Sequence, residues 1–72
     1  MSRVVVSIAE TGDRSRVVVY YSAPERRYSL VLEWLRGSEW SQSTSITVPL
    51  GRLGDVESAL LAAIAHAQKE LR

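Results

Sequence analysis

The side chains here that could do chemistry are cations and aromatic rings rather than nucleophiles or metal ligands. Eight of the nine basic residues are arginine, at positions 3, 14, 16, 26, 27, 36, 52 and 72, and Lys69 is the ninth. A guanidinium is a planar fork of donors that suits phosphate oxygens and stacks on flat rings. Tyr20, Tyr28 and Trp40 supply rings on which bases could stack, an interaction of about 1–3 kcal/mol per base that needs no sequence code. Arginine in place of lysine is also a compositional habit of some genomes, and the alanine-rich C-terminal segment is in keeping with that plainer origin.

Catalytic groupings are nearly absent. His66 stands alone among alanines, with no cysteine in the chain, so neither a structural zinc site nor a histidine-based catalytic group is expected. No dinucleotide fingerprint, phosphate loop or nucleophile elbow is present. Gly51 and Gly54 flank Arg52-Leu53 in a spacing that matches turn and capping residues better than an anion site. The expectation is a protein that is not an enzyme and holds no metal or cofactor.

Charge qualifies the picture. The net charge is +1, too small for the bulk pull of a strongly basic nucleic-acid binder. Its distribution is uneven: seven arginines against five acids up to Arg52, then Asp55, Glu57 and Glu70 against Lys69 and Arg72. The first part of the chain is mildly basic and the last part mildly acidic.

The elements that must position these groups follow from periodicity. Arg3 to Ile8, Arg16 to Ser22, Tyr28 to Leu35 and Ser45 to Leu50 are rich in β-branched and aromatic residues and bounded by turn clusters. Leu53, Val56, Leu60, Ala63, Ile64, Ala67 and Leu71 recur in steps of three and four, one apolar helical stripe. Asp55 or Gly51 is the expected cap. The expected fold is α+β: β-β-β-β-α, a twisted four-stranded antiparallel sheet with one C-terminal helix packed on one face, in a single domain over residues 1–72.

Alternation assigns the faces. Val4, Val6 and Ile8, with Val17, Val19 and Tyr21 and with Ile46, Val48 and Leu50, are expected under the helix. The open face then carries Arg3, Ser7, Arg16, Tyr20, Ser22, Ser29, Ser45 and Thr47. Both faces of the third strand are partly apolar, as a strand covered by a partner chain or a merely sticky exposed strand would be. Gly37 to Ser43 reads as a loop, in which Trp40 either folds back on the core or a dimer contact, or stacks on a base.

A chain of 72 residues buries only about 60% of the surface its unfolded form exposes, so its own core is marginal. Disulfides and metal are excluded as supplements, which leaves oligomerisation. The composition, 46% apolar and 24% charged, is that of a folded domain. No run of 18 apolar residues and no signal-peptide pattern is present. A soluble cytoplasmic protein, with nucleoid association as an option, is expected.

Ser43-Thr44-Ser45-Ile46-Thr47-Val48-Pro49, followed by a helix with Val56, Leu60 and Ile64 in register, resembles the end of a PUR repeat, the unit of the purine-rich-element-binding proteins. Val17 to Tyr21 and Arg27 to Glu33 are similar to that repeat's middle strands. The same element order resembles the positive cofactor four coactivators and the plant Whirly proteins. The resemblance implies binding of single-stranded DNA or RNA, a part in transcription regulation, and a working unit of two copies, hence a homodimer. The third strand departs from it, since Leu30-Val31-Leu32-Glu33-Trp34 lacks the basic residues those repeats carry there.

The expected function is therefore single-stranded DNA or RNA binding of low sequence specificity by a homodimer, without a membrane or metal partner. The expected contacts are Arg3, Arg14, Arg16, Tyr20, Arg26, Arg27, Tyr28, Arg36 and Trp40. The alternative is a protein-interaction or dimerisation module of the same fold, favoured by the near-zero charge and by Glu33.

Overall fold

The computed structural model describes residues 3–72. Strands β1 (Val4–Gly12), β2 (Ser15–Ser22), β3 (Arg27–Arg36) and β4 (Glu39–Pro49) form one antiparallel sheet in the order β1-β2-β3-β4. A 3-10 turn, Leu50–Arg52, leads into helix α1 (Leu53–Glu70). The fold is α+β with the expected element order. Each strand lies beside its sequence neighbour because antiparallel strands need only tight turns between them.

The turns explain where the strands stop. Pro24 stands between β2 and β3, where the Arg26 amide donates to the Ala23 carbonyl at 3.2 Å. Between β3 and β4 only Gly37 and Ser38 turn, with Arg36 paired to Glu39. Gly37 has φ +62°, left-handed backbone that glycine adopts without a Cβ clash at the first central position of a two-residue hairpin. The expected loop Gly37 to Ser43 is thus mostly strand, and Trp40 is a strand residue. Its polar sequence concealed this, because an edge strand can leave polar side chains in water while its backbone completes the ladder with β3.

Directly paired residues point to the same side of an antiparallel sheet. One face, here called apolar, carries Val17, Val19 and Tyr21 of β2 opposite Leu32, Leu30 and Tyr28 of β3, with Ile46 and Val48 of β4 beside them. The other, polar face carries Arg16, Val18, Tyr20 and Ser22 opposite Glu33, Val31, Ser29 and Arg27. These assignments agree with the alternation read from β2, β3 and the end of β4.

In β1 the alternation misleads. A register shift between Val5 and Ser7 pairs Val4 with Tyr21 but Ile8 with Val18, so Val4 and Ile8 lie on opposite faces. An extra residue in one strand of a pair inverts everything beyond it. Ser7, expected on the open face, pairs with Val19 on the apolar one.

The core also sits elsewhere than the helix stripe suggests. Val18 and Val31, paired at the centre of the polar face, are each 1% exposed. The apolar face is only half-buried, because α1 covers it with its first turns alone. Leu53 and Val56 are half-buried, and with Leu60 and Leu61 they border a hollow over Val19 and Leu30. Beyond that α1 is exposed throughout, including Ile64. The expected packing of the helix along one face is therefore not made within this chain.

The helix start also differs from expectation. Neither Gly51 nor Asp55 caps it; Arg52 occupies the cap position without a side-chain hydrogen bond. Asp55 instead takes the Arg52 guanidinium at 2.9 Å. The Cα radius of gyration is 14.1 Å, against about 11 Å for a compact chain of this length.

Candidate nucleic-acid interface

The polar face is a series of cross-strand rows. At one end Ser22 pairs with Arg27, and the next row runs Val5, Tyr20, Ser29, Thr47. Then come Ile8, Val18, Val31, Ser45, and after them Glu10, Arg16, Glu33, Gln42. Leu35 with Trp40 closes the far end.

Arginine and aromatic groups meet twice on this face. The Arg3 guanidinium lies 3.8 Å from the centre of the Tyr20 ring, and that of Arg16 lies 4.0 Å from the Trp40 ring. At such distances the ring's negative face attracts the cation. Between the two stacks sits Glu33, buried: Arg16 Nε donates to its Oε1 at 2.7 Å and the Tyr20 hydroxyl to its Oε2 at 3.2 Å. The resulting chain is Trp40, Arg16, Glu33, Tyr20, Arg3.

This chain divides the expected site. Arg16 is flanked across the strands by Glu10 and Glu33 and is ion-paired to the latter, so this row of the face is acidic rather than basic. Pairing with a buried carboxylate also fixes Arg16, which makes it a positioning group for Trp40 and Glu33.

The other end has a different character. A hollow of about 350 Å³ is lined by Arg3, Tyr20, Ser22, Glu25 and Ser29. Ser22 Oγ is buried and has no hydrogen-bond partner among the described residues, so it is free to donate to, or accept from, a polar guest. Arg27 pairs with Ser22 at this end, and Arg26 precedes it with φ +54°. That left-handed backbone, unusual for a residue with a Cβ, costs about 1–2 kcal/mol. It is held where the Arg26 carbonyl accepts the Leu50 amide at 2.9 Å, tying the turn to the start of the 3-10 segment.

The remaining expected residues scatter. Arg14 lies in the β1–β2 turn, where its guanidinium donates to the Leu35 carbonyl at 2.9 Å. Arg36 adjoins the β3–β4 turn on the register of the apolar face. Tyr28 is on the apolar face too, its ring centre 4.7 Å from that of Tyr21. Arg3, Tyr20, Arg26 and Arg27 thus gather at one end of the sheet, Arg14, Arg16, Arg36 and Trp40 gather at the other, and Tyr28 lies behind. His66 is exposed on α1.

Two contributors escaped the sequence reading: the anchoring role of Glu33 and the unpartnered Ser22 hydroxyl. The β2–β3 register would have revealed the first, since it places Arg16 opposite Glu33. Among the described residues no group of three or more histidines, cysteines or carboxylates could hold a metal ion. Among the described residues no helix is long and apolar enough to cross a membrane. Comparison of the chain with family models, curated proteins and solved structures finds no match.

Proposed function

We propose that this protein binds single-stranded DNA or RNA with low sequence specificity, as a homodimer, through the end of the polar face that carries Arg3, Tyr20, Arg26 and Arg27. The observation that supports this most is the hollow beside Tyr20. It combines a ring with a stacked guanidinium, an unpartnered buried hydroxyl and an arginine doublet one row away. A base entering the hollow would take the Tyr20 face that Arg3 now covers, and Arg3 would turn to the adjoining phosphate. Base stacking with arginine-to-phosphate contact is the usual economy of single-strand binding. The likeness to PUR repeats, positive cofactor four and Whirly proteins in element order agrees with this reading.

The test is fluorescence anisotropy with labelled single- and double-stranded oligonucleotides. Single strands should bind at low salt and duplexes more weakly, with log K falling against log salt by about 0.7 per phosphate contacted. Arg26→Glu with Arg27→Glu should lower affinity at least about tenfold by removing two phosphate contacts and adding two repulsive charges. Absence of single-strand binding in low salt would refute the proposal.

A second reading rests on the middle of the same face. The row around buried Glu33 is acidic and the row beside it apolar, with Val18 and Val31 between Ile8 and Ser45. That composition suits a protein surface better than a phosphate backbone, so a protein-interaction module is the alternative if oligonucleotides fail to bind.

A further inference from the structure

The chain carries two apolar surfaces that it does not bring together. On α1, Leu60, Leu61 and Ile64 are 56%, 58% and 53% exposed. On the apolar sheet face, Val4, Trp34 and Ile46 are similarly open. The helix leaves the sheet after its first turns, so its outer half has nothing beneath it.

The area left open is large. The chain exposes 5703 Å² at a mass of 8.0 kDa, whereas a folded monomer of that mass exposes about 4,450 Å². The excess of roughly 1,250 Å² exceeds the ~800 Å² that each partner buries in a stable interface. A sheet with one uncovered face and a helix with one uncovered stripe are each other's complement.

We propose that two copies exchange helices: the outer half of each α1, from Leu60 onward, covers the free apolar face of the partner's sheet. The hollow over Val19 and Leu30, bordered by Leu53, Val56, Leu60 and Leu61, is then the hinge region from which each helix crosses. A two-fold arrangement buries both surfaces with one interface repeated twice. It leaves the polar faces of both sheets outward. This inference rests on the homodimer in the reading above and is independent of whether nucleic acid binds.

The chain contains no cysteine, so a cross-linking test is clean. One variant carries Ile64→Cys on the helix, and the other carries Ile46→Cys on the sheet with a distinguishing affinity tag. The two are mixed, partly unfolded and refolded together, then treated with a short bismaleimide. Helix exchange predicts a tagged-to-untagged covalent dimer, and predicts that a chain with both cysteines also links between chains. A double-cysteine chain that closes only on itself would overturn the proposal, as would a mixture that fails to cross-link.

Light scattering of the unmodified protein supplies a second, mutation-free measurement: a mass of two chains at micromolar concentration is expected, and one chain would overturn the inference. Oligonucleotide anisotropy on the same samples keeps the outcomes apart. Cross-linking without binding removes the nucleic-acid reading alone, and binding by a monomer removes the exchange and the homodimer while leaving nucleic-acid binding in place.

Discussion

Glu33 organises the polar face at the scale of single residues. It is buried, yet both carboxylate oxygens are used, one by Arg16 and one by Tyr20. Truncating it strands a half-buried guanidinium and a phenolic hydroxyl, so Glu33→Ala should cost about 1–3 kcal/mol, read as a lower urea midpoint. A loss below about 0.5 kcal/mol would make the pair no better than one on an open surface. The same pairing makes Arg16→Glu a poor probe of binding, because it would set two carboxylates face to face. Arg26 gives a cleaner separation. Replacing it by glycine relieves left-handed backbone, so Arg26→Gly should raise stability by about 1 kcal/mol while weakening oligonucleotide binding. Equal affinity for wild type and variant would remove that side chain from the interface.

Among the elements, what the sequence made legible was order and the spacing of strong runs. Val17 to Tyr21 and Leu30 to Trp34 stand out as nearly continuous apolar runs because both strands are interior, paired on each side, with Val18 and Val31 buried on the second face. Edge strands were harder, for physical reasons. The beginning of β4 hides its pairing behind Glu39, Ser41 and Gln42, which remain at or near water while their backbone pairs with β3. The alternation of Val4, Val6 and Ile8 runs on through a register shift that only pairing with β2 exposes. The β3–β4 hairpin depends on Gly37, around which an added Cβ would meet nothing within 4 Å. Gly37→Ala should therefore lose about 1 kcal/mol from backbone conformation alone, measured by thermal or urea unfolding. An unchanged midpoint would mean that the turn does not require the left-handed geometry.

For the molecule as a whole, the size argument from 72 residues and the geometry of the fold lead to the same place by different routes. The sequence argument was energetic: too little core, no disulfide and no metal. The structural one is spatial, since the radius of gyration exceeds that of a compact chain and the outer half of the helix lies exposed. The candidate site was less legible than the fold. Residue type alone grouped nine side chains, and the register separates them into two clusters at opposite ends of the sheet, with Arg36 and Tyr28 on the apolar side. The cluster at Arg3, Tyr20, Arg26 and Arg27 combines cationic groups with a hollow. In a two-fold assembly that cluster occurs twice, so a single strand reaching both copies would gain affinity without any new contact within either.

The register shifts in the two outer strands have a consequence of their own. β1 is irregular between Val5 and Ser7 and between Glu10 and Gly12, and β4 at its pairing with Leu32 and Glu33, whereas the β2–β3 ladder is unbroken. An open edge with the run Val4-Val5-Val6 is the kind of template along which further chains add strand by strand. Each interruption puts the free donors and acceptors of the edge out of step with those of an incoming straight strand. Both rims of the four-stranded sheet are thus interrupted, which disfavours extension by a straight strand at either edge.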